Sequence, residues 1–181
     1  MSAAGIESVL GTRRTPLLAL CFLSIWSAVG FGLAGLLGQS FGAWVPDPGV
    51  VLLLGLVARS RPNGLWLAAF AVAAGRIAVG IEPPFAVLTG YLAIAGVHAA
   101  LCRFADGNRT LVRLIGGALY SAALVVWFIA VHEANSHVAL GLLERAPQFA
   151  IQTGLTTALV GAGLSPALAL VPGLREWRER A

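Results

Sequence analysis

Charge is what this sequence has least of. Aspartate, glutamate, lysine and arginine make up 11% of its 181 residues, and lysine is missing altogether, all twelve basic residues being arginine. Soluble domains carry about 25% charged residues, so this chain has too little charge to cover a water-facing surface. Cysteine is scarce too. Cys21 and Cys102 fall at or inside apolar segments, which argues against a disulfide framework built on loop cysteines and reads as two small buried apolar side chains. Long polar linkers, repeats and low-complexity tracts are also missing, so the 181 residues read as a single domain.

What is present is apolar. Hydrophobic residues make up 58% of the chain and mean hydropathy is +0.85. With 22 glycines and nine prolines, both more frequent in membrane helices than in soluble ones, the composition is that of a polytopic membrane protein. Apolar segments run at about Pro16–Leu37, Val50–Ala58, Gly64–Val79, Phe85–Leu101, Leu114–Val131 and Phe149–Val171. The expected fold is all-α, a bundle of six transmembrane helices. The longest connection, Glu133 to Gln148, is mildly polar. TRRTPLLAL resembles a twin-arginine export signal, but more membrane protein follows it rather than a soluble domain.

The pI near 10.0 does not point to nucleic acid, because the arginines punctuate the apolar runs instead of clustering on a polar face. With the N-terminus inside, six crossings place ten of the twelve on the cytoplasmic side. These are Arg13 and Arg14, Arg59 and Arg61, Arg103, Arg109 and Arg113, then Arg175, Arg178 and Arg180. The other side collects Asp47, Glu82, Glu133 and Glu144 against Arg145 alone. This is the arginine bias of cytoplasmic loops, and it predicts an N-in/C-in layout in a bacterial inner membrane. Residues 1–14 form a cytoplasmic segment and residues 173–181 a basic cytoplasmic tail.

The second segment is the short one, ten residues from Gly49 to Ala58 where about 20 are needed to span. If it did not cross, Arg59 and Arg61 would lie on the wrong side and every later loop would invert. It is therefore expected to cross, borrowing Phe41–Val45 at its outer end and tolerated by thinning, snorkelling or shielding by neighbours. Pro48 suits a first helical turn, and Asp47 before it meets the positive end of the helix dipole.

Few other residues carry chemistry. Arg76 lies in WLAAFAVAAGRIAVG with no loop of its own, and a charge in a membrane helix is a functional candidate. Its plainer role is to snorkel outward and pair with Glu82 or Asp47. His98, deep in the fourth segment, reads as a hydrogen-bonded packing residue. HEANSH, spanning His132 to His137, lacks metal-ligand spacing. Gly30, Ala34 and Gly38, and Gly161 with Ser165, have the spacing of close helix packing, within the chain or against a partner's helix. The sequence has no GxSxG turn, buried carboxylate pair, P-loop or dinucleotide fingerprint, so no enzyme mechanism, cofactor or metal is indicated.

Taken in order, four stretches resemble the MreD family of the bacterial cell-elongation machinery. They are PDPGVVLLLGLVAR, AAFAVAAGRIAVG, PPFAVLTGYLAIAGVHAALCRF and LTTALVGAGLSPALALVPGLREWRER, the last with mid-helix Pro166. The resemblance covers Val45 to Arg180. It departs from the family at Arg76, where an acidic residue often follows the third-span glycines. It implies a non-enzymatic scaffold for peptidoglycan synthesis and cell shape, with MreC-like and elongation-synthase partners and a fold similar to vitamin-transporter binding subunits. Asp47, Pro48, Arg76 and Pro166 are then the assembly candidates. The arginine-rich ends would meet anionic membrane lipid or an acidic partner, each basic residue being worth about 1 kcal/mol at an anionic surface.

Three other classes compete with the scaffold. A small-molecule-binding transporter subunit would need an outward pocket lined by Asp47, Arg76, Glu82 and His132. A membrane sensor domain is suggested by WVPDPGVVLLLGLVAR, which loosely resembles modules starting on Trp-Pro-Pro, although the cytoplasmic signalling domain expected after such a module does not follow. An intramembrane enzyme lacks candidate groups.

Overall fold

Among the described residues, proline starts three of the six α-helices, at the position where its missing N–H costs nothing and its fixed φ is already helical. The fold is seen in a computed structural model, which describes residues 17–57, 62–102, 104, 110–136, 141–168 and 170–171. For residues 56, 57, 62, 63, 165 and 166 it describes the backbone only. The helices are α1 (Leu17–Phe41), α2 (Pro48–Val57), α3 (Pro62–Val79), α4 (Pro84–Leu101), α5 (Thr110–Asn135) and α6 (Leu142–Leu168), with a one-turn 3-10 helix at Gly42–Trp44. No strand occurs among the described residues. The all-α expectation is therefore met.

α1, continued to Trp44, α4 and α5 are long and apolar enough to cross a membrane; Gly64–Val79 is a shorter apolar helix. α2 has ten residues, a length of about 15 Å against about 30 Å of hydrocarbon. It does not borrow Phe41–Val45. Gly42, at φ +58°, adopts the left-handed conformation that closes the end of α1, and the chain turns through the 3-10 helix before Pro48. Shielding by neighbours is what accommodates the short helix: α1, α3, α5 and α6 all pack against it. Val50 to Leu54 are all buried, as a helix apolar on every side requires.

Around that centre, α1 lies along α3 and α5 along α6, while α4 bridges α3 and α5. Backbones approach closely where glycine permits. At Gly75 a Cβ would run into the Ser24 carbonyl of α1, and at Gly154 it would lie 2.9 Å from the Ala118 carbonyl of α5. The α1–α3 seam is bonded as well as packed: Ser24 donates to the Ala71 carbonyl at 3.0 Å and buried Ser27 to the Val72 carbonyl at 2.9 Å. The expected small-residue sets are used only in part. A Cβ at Gly30 would press on Pro48 and one at Gly161 would lie 3.8 Å from Val51, but one at Gly38 would meet nothing within 4 Å.

Two further expectations are corrected. The polar stretch Glu133–Gln148 is not a long connection. α5 continues to Asn135 and α6 starts at Leu142, where Glu133 accepts the otherwise unpaired Leu143 N–H at 3.0 Å. Nor are the cysteines buried: Cys21 and Cys102 are both exposed, and apolar surroundings in sequence did not translate into an inward face. Arg13, Arg14, Arg59, Arg61, Arg103, Arg109, Arg175, Arg178 and Arg180, the tail, His137 and the side chains of Ser165 and Pro166 lie outside what is described.

Candidate functional site

At one end of the bundle, where the α1–α2 and α3–α4 turns lie, the six described α-helices or their caps each contribute a residue to a cluster around Arg76 and Asp47. The position of Arg76 follows from local sequence. Gly75 brings α3 against α1, and one residue later the guanidinium is carried to the top of α2. There Nη1 bonds Asp47 Oδ2 at 3.1 Å and the Tyr91 hydroxyl at 3.1 Å, while Nη2 bonds Glu82 Oε1 at 2.5 Å. Two rings lie against it, with the ring centre of Phe31 of α1 4.9 Å and that of Phe128 of α5 4.1 Å from the guanidinium carbon. The expected partners are thus both present. The expected outward snorkel is not, since the side chain is only 13% exposed and the charge is neutralised inside the bundle.

Asp47 acts as the N-terminal cap of α2, as its place before Pro48 suggested. Oδ1 accepts the Val50 N–H at 2.9 Å, satisfying a donor that the first turn leaves free. The Tyr91 hydroxyl donates to the same carboxylate, 3.0 Å from Oδ1 and 3.2 Å from Oδ2. Tyr91 reaches it only because residue 49 is glycine, where a Cβ would be 2.6 Å from the hydroxyl oxygen. From the other side, the Asp47 N–H donates to Thr157 of α6 at 2.8 Å, and Thr157 to the Thr153 carbonyl at 2.6 Å. Thr153 in turn donates to the Ala43 carbonyl of the 3-10 turn at 2.9 Å.

Glu82 is the most open member, its side chain 28% exposed. Burial by itself raises its carboxyl, but the Arg76 charge and hydrogen bond outweigh that and hold it below the ordinary carboxylate value. Beside the cluster lies a cavity of about 370 Å³ whose lining includes Asp47, Arg76 and Glu82. His132, the fourth residue expected around such a pocket, is exposed and does not line it.

A second polar pair lies toward the other end. His98 is buried and its Nδ1 is 3.2 Å from the Tyr120 hydroxyl, the packing role its sequence position suggested. Tyr91, Thr157 and the two phenylalanines were not among the residues singled out from sequence. The signal available was tyrosine itself: there are only two, both inside apolar segments, and a buried phenol needs a partner for its hydroxyl.

Among the described residues no group of three or more histidines, cysteines or acids is placed to hold a metal. The chain matches no protein-family model, no curated protein and no solved structure.

Proposed function

We propose that this protein is a multi-pass membrane scaffold of the kind its sequence resembles in the MreD family, acting through contacts between helices rather than through chemistry. One observation carries this reading: the convergence of the six described α-helices on the cluster around Arg76 and Asp47. Phe31, Asp47, Arg76, Tyr91, Phe128 and Thr157 come one from each helix or its cap, and each bonds or stacks within the cluster. A charge cluster whose members are bonded to one another, and to the backbone they cap, serves to hold helices in register. Removing one partner from such a buried pair costs about 3–5 kcal/mol. A frame so held can present an outer helix, and α1 leaves Leu33, Leu36, Leu37 and Phe41 exposed.

In this reading all six helices cross the bacterial inner membrane with both termini inside, and α2 crosses inside a sleeve of its neighbours. The partners are an MreC-like protein and an elongation synthase. The test is to place a photo-cross-linking residue at Leu36 in the native host and identify what is captured and what co-purifies in mild detergent. An MreC-like protein with a peptidoglycan synthase is the expected result. Capture of a transporter ATPase with its coupling subunit would instead support the second reading, a solute-binding subunit. That reading is favoured by the cavity beside Asp47, Arg76 and Glu82.

A further inference from the structure

The cavity beside the Arg76 cluster adjoins a second one, with four residues lining both. The first, about 370 Å³, has two carboxylates and one guanidinium in its lining, leaving one negative charge in excess. The second, about 300 Å³, is lined only by apolar residues and glycine, among them Trp26, Leu33, Leu37 and Leu164. Ala34, Val45, Pro46 and Pro48 line both. Each volume lies at the small end of the roughly 300–1,000 Å³ typical of ligand pockets. Side by side along the outer half of α1, the two make an amphipathic slot, an acidic compartment next to an apolar one.

We infer that this slot binds a lipid with an ammonium head, of the ethanolamine-headed type. The ammonium lies beside Glu82, and acyl chain occupies the apolar compartment. Three features select that chemistry. The excess charge in the polar compartment is negative, which disfavours an anionic head. Glu82 is the carboxylate of the cluster most open to an incoming group, whereas both oxygens of Asp47 are engaged by Val50, Tyr91 and Arg76. The apolar compartment offers no charged side chain and, beside the Trp26 indole, no hydrogen-bonding one, so a water-soluble amine would leave it unfilled. The inference is independent of the scaffold reading, because partner recovery is not its readout.

The experiment is lipid retention by the full-length protein. The protein is reconstituted in vesicles of equal phosphatidylethanolamine and phosphatidylglycerol, extracted in mild detergent, and its bound lipid is identified by native mass spectrometry. The expected result is retention of the ethanolamine lipid over the glycerol lipid by about fivefold, the effect of one elementary charge near a membrane surface. Glu82→Gln, which removes the excess charge, should bring the ratio to parity. Gly38→Leu fills the polar compartment from an α1 position with nothing within 4 Å, and should do the same with the ion pairs intact. Gly32→Leu, equally open but lining neither compartment, should leave the ratio unchanged. Equal retention by the unaltered protein, preference for the glycerol lipid, or a ratio unmoved by both Glu82→Gln and Gly38→Leu would overturn the assignment. So would stabilisation by ethylammonium ion with no lipid preference, which would make the site one for a soluble amine.

Discussion

α1 and α2 meet at one turn and are opposites in almost every respect. α1 has 25 residues, and only Ala19, Leu23 and Ser27 of them are buried. α2 has ten, and Val50 to Leu54 are buried without a break. The longer helix meets the length and hydropathy of a membrane span by itself; the shorter one would leave half the bilayer thickness uncovered. What the contrast teaches is that exposure to lipid and membership of the core are set by neighbours, not by apolarity. In water an apolar helix is driven inward, whereas against lipid tails a leucine gains little from the move, and packing and polar pairing decide instead. α1 is pinned from Ser24 to Phe31, by Ser24, Ser27, Gly75 and the Phe31 ring on Arg76, and is more open beyond, where the slot lies.

That comparison can be broken most forcefully at the head of α2. Asp47→Ala leaves the Val50 N–H and the Tyr91 hydroxyl without their acceptor and Arg76 with a single carboxylate. It should cost about 3–5 kcal/mol, seen as loss of folded protein by fluorescence-detected size exclusion. Glu144→Ala, at an exposed position on the first turn of α6, should accumulate normally. Equal accumulation and equal partner recovery for the two would remove the special standing of Asp47.

Next comes packing. Leu53→Ala in α2 should lower stability by about 2 kcal/mol through the cavity it leaves, while Leu36→Ala on exposed α1 should change it by less than about 0.5 kcal/mol. Unfolding in graded sodium dodecyl sulfate would compare them, and a larger effect at Leu36 would mean that α1 is buried after all, by a second copy or a partner.

The two halves of α1 can be separated in the same assay. Gly75→Ala forces a methyl onto the Ser24 carbonyl and should cost about 1–3 kcal/mol. Gly38→Ala has open space and should be neutral, or stabilising by up to about 1 kcal/mol through helix propensity. A costly Gly38→Ala would show that the outer half of α1 is packed rather than released.

The smallest effect is that of pH at Glu82. Its folded-state carboxyl is lowered from 4.5, so its contribution is complete above that value and is lost as pH falls through the lowered folded one. Thermal unfolding of Glu82→Gln should therefore show a shallower fall in stability below about pH 4.5 than the unaltered protein. Identical acid profiles would show that Glu82 contributes no linkage.

Much of the candidate site could be read in the chain before any fold was known. An arginine without a loop, an acid before a helix-starting proline and a glutamate six residues beyond the arginine are local features, and charges in apolar surroundings must find each other. Tyr91 could not be assigned, because which face of α4 turns inward depends on where α2 places Gly49. The cysteines misled for the same reason, since in an apolar helix the inward and outward faces have the same composition.

The sequence by itself determined the class, all-α and membrane-like, and the starts of α2 and α4 at their prolines, because composition and proline act locally. It also determined that Asp47, Arg76 and Glu82 would need one another, because unpaired charge in an apolar medium is too costly to persist. Only the tertiary structure decided which helix lies at the centre. It also gathered residues from the six described α-helices around Arg76 and Asp47 and left an acidic and an apolar compartment side by side along α1. Those outcomes depend on which backbones can approach closely, and that is settled by glycine, proline and ring contacts between segments far apart in the chain.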